Sequence, residues 1–100
     1  GGSGGQIDKK AVSRVLRRRS GAVKRCYEKA LKRNDSVNGK LVIKFKIGSA
    51  GRITRIKVVK NGTGDSGVAS CISSAMKGWR FPIPEGGPVT FSFPFILSKG

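Results

Sequence analysis

The stretch Lys40–Lys60, KLVIKFKIGSAGRITRIKVVK, decides the fold. In its first part Leu41, Ile43, Phe45 and Ile47 alternate with Val42, Lys44 and Lys46, the period-two pattern of a half-buried strand. GSAGR turns the chain. ITRIKVVK follows as a second strand, with Ile56 and Val58 on one side and Arg55, Lys57 and Val59 on the other. Two such runs form an antiparallel hairpin with one apolar and one cationic face, and the apolar face must be covered.

The cover is supplied from both sides of the hairpin. Upstream, from Asp8 to Arg33, apolar residues recur at Val12, Val15, Leu16, Val23, Cys26, Tyr27, Ala30 and Leu31, the three-or-four spacing of one helical face. Asp8 is positioned as an N-cap, and Ser20-Gly21 interrupts the pattern because glycine costs about 1 kcal/mol against alanine inside a helix. Two helices or one kinked helix are expected, stopped by NDSVNG. Downstream, NGTGDSG breaks the second strand, and Val68, Cys71, Ile72, Ala75, Met76 and Trp79 set out another helix from Ser66 to Trp79, ended by RFPIP. The last element, PVTFSFPFIL, places Val89, Phe91, Phe93, Phe95 and Leu97 on one face and Pro94 on the other. A proline cannot donate to ladders on both sides, so this strand belongs at a sheet edge. The expected class is α+β: a three-stranded antiparallel sheet with helices packed on one face, in the order α(α)-β-β-α-β.

Residues 1–5, GGSGG, read as a linker or tag remnant, which leaves a single domain over residues 6–100. No apolar run approaches the roughly 20 residues needed to cross a bilayer and no signal peptide is visible, so a soluble piece excised from a longer, anchored chain is expected. With 21 Lys and Arg against 5 Asp and Glu, the formal charge of +16 calls for a polyanionic partner or surface. Nucleic acid, anionic lipid headgroups, the acidic groups of a bacterial cell wall and an acidic protein all qualify on charge alone. The chain has no histidine, which removes the commonest general base, the Ser-His and Cys-His nucleophile pairs and histidine-containing metal sites. Two cysteines cannot build a four-ligand zinc site alone, the scattered carboxylates offer no acid–base pair, and neither GSAGR nor NGTGDSG fits a phosphate-binding loop. No catalytic residue, cofactor or metal is therefore expected. TFSFPF has the aromatic interleaving of single-strand binders, but its rings share the parity of Val89 and Leu97 and read as core.

Cys26 lies within KRCYEKALKR, Lys24 to Arg33, a dense run of positive charge. Neighbouring cations favour a thiolate, which allows a reactive cysteine; the stretch also allows a nucleic-acid-binding helix with an incidental thiol. A third reading is a bridge to Cys71. Both cysteines lie on the apolar sides of helices that cover the same sheet face, so they could meet, and such a bridge implies an oxidising compartment. Two buried free thiols in a cytosolic protein are the alternative.

GKLVIKFKIGSAGRITRIKVVKN, a helix closing with AMKGWRFP and a terminal strand together resemble the TonB C-terminal domain pattern: G-x-V-x-V-x-F, a G-R-[IV] turn and a helix ending in W-[RK]-F-x-P. The resemblance runs from about Gly39 to Leu97. With VKRCYEKALKR before it and VASCISSAMKGW within it, the chain is more similar still to the TonB-like domains called AgmX/PglI C-terminal, found in multi-domain myxobacterial proteins of the gliding machinery. That resemblance pairs Cys26 with Cys71. It also implies a non-enzymatic periplasmic domain at the end of an inner-membrane-anchored chain, one that transmits force from a proton-driven motor to an outer-membrane or periplasmic envelope protein. The contact it implies is strand augmentation, an extended partner segment pairing with the last strand at Val89, Thr90, Phe91, Ser92 and Phe93. Pro94 departs from the pattern and interrupts the pairing if its missing N–H falls on the open side. The outer sheet face, Lys44, Lys46, Arg55 and Lys57, would attract an acidic partner or the anionic cell wall, and Arg14, Arg17, Arg18, Lys24, Arg25, Lys32 and Arg33 extend the field. A basic nucleic-acid-binding domain is the competing reading. No specific nucleic-acid partner is expected, because no base-reading element is visible.

Overall fold

The computed structural model describes residues 7–99, and the linker expected at residues 1–5 lies outside them. The elements run α1 (Lys9–Arg18), α2 (Ser20–Arg33), β1 (Gly39–Ile47), β2 (Ile53–Asn61), α3 (Ser66–Met76) and β3 (Val89–Leu97). The strands form one antiparallel sheet in the order β2-β1-β3, so the α+β architecture is the one expected from the hydrophobic pattern.

Alternation in β1 does what period two requires. Leu41, Ile43, Phe45 and Ile47 are fully buried under the helices, while Lys44 is exposed on the opposite face. The helices contribute Val12 and Leu16 from α1, Cys26, Tyr27 and Ala30 from α2, and Val68, Ala69, Ile72 and Met76 from α3 to the same core. The Tyr27 hydroxyl reaches the buried Val37 carbonyl at 2.7 Å, so the α2–β1 connection folds back onto the helix with its polar group satisfied. Asp8 caps α1 as expected, accepting from the Lys10 amide at 2.9 Å.

Three local expectations need correction. The break between α1 and α2 falls at Arg19, whose backbone (φ −96°, ψ 12°) leaves the helical region, and Ser20 and Gly21 are already inside α2. α3 ends at Met76, three residues before Trp79, which is nevertheless buried. A turn carries it there, with Gly78 and Trp79 donating to the Ala75 and Met76 carbonyls. On β3 only Phe95 and Leu97 are buried; Val89, Phe91 and Phe93 are half-buried, because an edge strand has helix cover on one flank only.

The Gly-Arg turn and the segment after α3, separated by some 30 residues, are one structural unit. Phe81 N–H donates to the Gly51 carbonyl at 2.8 Å, Arg52 pairs with Arg80 as an isolated bridge, and the Phe81 ring lies 5.6 Å from Phe45. Gly51 has φ +78°, and a Cβ there would collide with the Phe81 carbonyl oxygen. Glycine is thus required twice, by the turn and by the close approach.

Cys26 and Cys71 are joined by a disulfide, Cα–Cα 5.7 Å, that ties α2 to α3. The reactive-thiol and free-thiol readings are thereby removed. A second tie links the same helices. Arg33 on α2 donates to Asp65 at 2.6 Å, and Asp65 in turn caps α3 by accepting from Val68 N–H at 2.9 Å. The Arg33 hydrogen bond holds the Asp65 carboxyl below its ordinary value.

Candidate partner-binding edge

Which backbone groups of β3 are free follows from the ladder of the central strand. Gly62 N–H donates to the Lys40 carbonyl and Gly48 N–H to the Arg52 carbonyl, each at 2.8 Å, so the even-numbered residues of β1 direct their backbone groups toward β2. In an antiparallel ladder the intervening residues face the other neighbour. Leu41, Ile43, Phe45 and Ile47 therefore bond to their opposites Phe95, Phe93, Phe91 and Val89. Thr90, Ser92, Pro94 and Ile96 are left with their backbone groups aimed at the open edge. Their side chains lie on the outer face and are all exposed.

Pro94 thus has its missing N–H on the open side, the placement that costs the sheet no ladder bond. The edge offers donors at Thr90 and Ser92 and again at Ile96, with a gap at Pro94 between them. Of the five residues expected at the contact, Thr90 and Ser92 face the edge through their backbone, whereas Val89, Phe91 and Phe93 are already engaged with β1. Their rings and methyls point to the helix side, where Phe91 lies 6.1 Å from Phe45 and Phe93 packs edge-on to Phe95 at 5.0 Å.

Sequence reasoning missed a groove of about 620 Å³ between this edge and the helices. Leu16, Val23, Tyr27 and Leu31 form one wall, and Phe93 and Phe95 the other, with Arg17, Lys24 and Glu28 at the rim. The signal was present in Val23 and Leu31, which belong to the apolar helical stripe yet stay half-buried. A period shows which face is apolar, not whether a neighbouring strand is there to cover it.

The expected cationic residues are brought together on the outer face. Lys44 stands opposite Lys57 and Lys46 opposite Arg55, with Lys44, Arg55 and Lys57 exposed. Arg14, Arg17, Arg18, Lys24, Arg25, Lys32 and Arg33 are exposed on the helices, away from that face. Among the described residues no group of three or more His, Cys, Asp and Glu side chains could hold a metal ion, and no helix is long and apolar enough to cross a membrane.

No family model and no curated protein matches this sequence. Among solved structures, the chain is similar to the solution structure of the C-terminal domain of TonB from Helicobacter pylori, with 17% identity and a TM-score of 0.48, over 94% of this chain and 87% of that one.

Proposed function

We propose that this chain is a non-enzymatic interaction domain of the bacterial envelope that couples an inner-membrane, proton-driven motor to an outer-membrane or periplasmic protein by taking up an extended segment of that protein along β3. The observation that carries this reading is the open β3 edge: its register against β1 is unbroken from Val89 to Leu97 and it holds no charged side chain. Such an edge is a template for another strand unless something guards it, and here the one guard is Pro94. Backbone pairing tolerates varied partner sequences and shares a pulling load over several parallel bonds. The Cys26–Cys71 bridge fits an oxidising compartment such as the periplasm. The sequence resemblance to TonB C-terminal domains points the same way, and its AgmX/PglI shading suggests gliding motility as the setting.

The test is site-specific photocrosslinking in the envelope of the producing cell. A photoreactive amino acid at Ser92 should capture an envelope protein, and the same group at Val59, on the other edge of the sheet, should not. Equal capture at both positions, or capture at Val59 alone, would remove β3 from the contact.

A further inference from the structure

The outer face of the β1–β2 hairpin repels itself. Lys44 lies directly opposite Lys57 and Lys46 directly opposite Arg55, and like charges facing each other across an antiparallel pair are destabilising. Among the described residues no salt bridge involves any of these four cations. The acidic residues Asp8, Glu28, Asp35, Asp65 and Glu85 all lie outside the three strands, and the ion pair among the described residues, Arg33–Asp65, joins α2 to the cap of α3. Two adjacent like-charge pairs held without a counter-charge call for one from outside. Lys77 and Thr90 extend the four cations into a shallow depression of about 840 Å³.

We infer that this face is a second binding surface, distinct from the β3 edge, and that its occupant is an acidic protein segment in extended conformation carrying carboxylates at alternate positions. The match is one of repeat. Residues two apart on a strand stand about 6.8 Å apart on one face, so Lys44 and Lys46, like Arg55 and Lys57, present positive charge at that interval. An extended peptide presents its own alternate side chains at the same interval. Carboxylates at positions i and i+2 therefore meet both cation pairs at once, each sitting between two cations. A nucleic acid finds less here. Phe45 is buried, and Phe91, Phe93 and Phe95 share the inner parity, so the face has no ring on which a base could stack.

The experiment compares peptides of equal length and net charge, one with glutamates at alternate positions and one with them in a single block, beside a single-stranded oligonucleotide and anionic vesicles. The alternating peptide should bind several-fold tighter than the block peptide and move the amide signals of Lys44, Lys46, Arg55 and Lys57. Replacing Lys44→Gln together with Lys57→Gln should weaken it about tenfold. The same pair should raise Tm by roughly 1–4 °C, because it removes an opposed like-charge pair. Arg14→Gln with Arg18→Gln on α1 should leave binding within about twofold. Ser92→Pro should not affect it, so failure at this face is separable from failure at the β3 edge. Equal binding of alternating and block peptides, tighter binding of the oligonucleotide or vesicles, or a fall in Tm for the lysine pair would each overturn the inference.

Discussion

The two edges of this sheet are treated in opposite ways. At the β2 edge the register against β1 slips twice, leaving Val59 and Thr54 as extra residues, and the strand carries Arg55, Lys57 and Lys60. Bulges bend a strand and charges repel a copy of it, so this edge is guarded against pairing. Its far end is fastened as well: Asn61 accepts from Thr63 N–H at 3.0 Å and donates to the Asp65 carbonyl at 3.0 Å. The β3 edge has an unbroken register, no charge and a groove alongside it. One sheet thus has a guarded strand at one edge and an unguarded strand at the other.

The helices divide along the same line, since α3 packs on β2 while α2 lines the groove beside β3, and the Cys26–Cys71 bridge joins the two. Its removal is the largest effect to expect. With the cysteines 45 positions apart in sequence, reduction should cost about 4 kcal/mol in the chain-entropy account, read as a lower denaturant midpoint in reductant. Hydrogen exchange should rise most along β3 and α2. Uniform loosening of both edges would dissolve the division of labour proposed for the helices.

Next in size is the contrast between two rings on the open strand. Phe95 is buried, so Phe95→Ala should cost about 3–4 kcal/mol, whereas half-buried Phe93, forming the groove wall, should cost about half as much on truncation. Urea denaturation of the two variants decides it. Equal losses would mean that the groove is closed in solution and that the β3 edge has more cover than the structure gives it.

The element order, the buried face of β1, the N-cap at Asp8 and the edge position of β3 were all legible, because period-two and period-3.6 patterns and a lone proline act through neighbouring residues. What escaped depended on distance in sequence. Asp65 falls in a stretch that reads only as a strand breaker, and its pairing with Arg33 is set by how α2 and α3 cross. The β2 bulges leave no mark in a run that reads ITRIKVVK. The half-buried state of Phe91 and Phe93 was also out of reach, since alternation places a ring on a face without showing how much helix stands over it. Pro94 spans the boundary: its edge position could be read, but the side its nitrogen takes required the register.

That register makes Ser92 the residue for separating binding from folding. Its N–H faces the open side and its side chain is exposed, so Ser92→Pro should change stability by less than about 1 kcal/mol, as Pro94 already shows that β3 accepts the ring there. Partner capture should fall all the same, since only Thr90 would then donate before the gap at Pro94. Unchanged capture from a folded Ser92→Pro variant would mean that the partner does not pair with this edge.

The smallest effect concerns the fastening at the end of β2. The Arg33 hydrogen bond lowers the Asp65 pKa in the folded state, so the carboxylate adds stability at pH above its unfolded value and loses that contribution as pH falls through the lower folded value. The relevant window lies below the ordinary value of 3.8. Because Asp65→Asn keeps an N-cap oxygen for Val68 N–H while removing the charge, the variant should be less stable than the parent at pH 7, and the two should converge as the pH falls through that window. Arg33 is half-exposed, so added salt should shrink the gap at pH 7. A gap independent of pH would assign the role to the cap alone, and β2 would then be fastened by Asn61 and Thr63 without help from the ion pair.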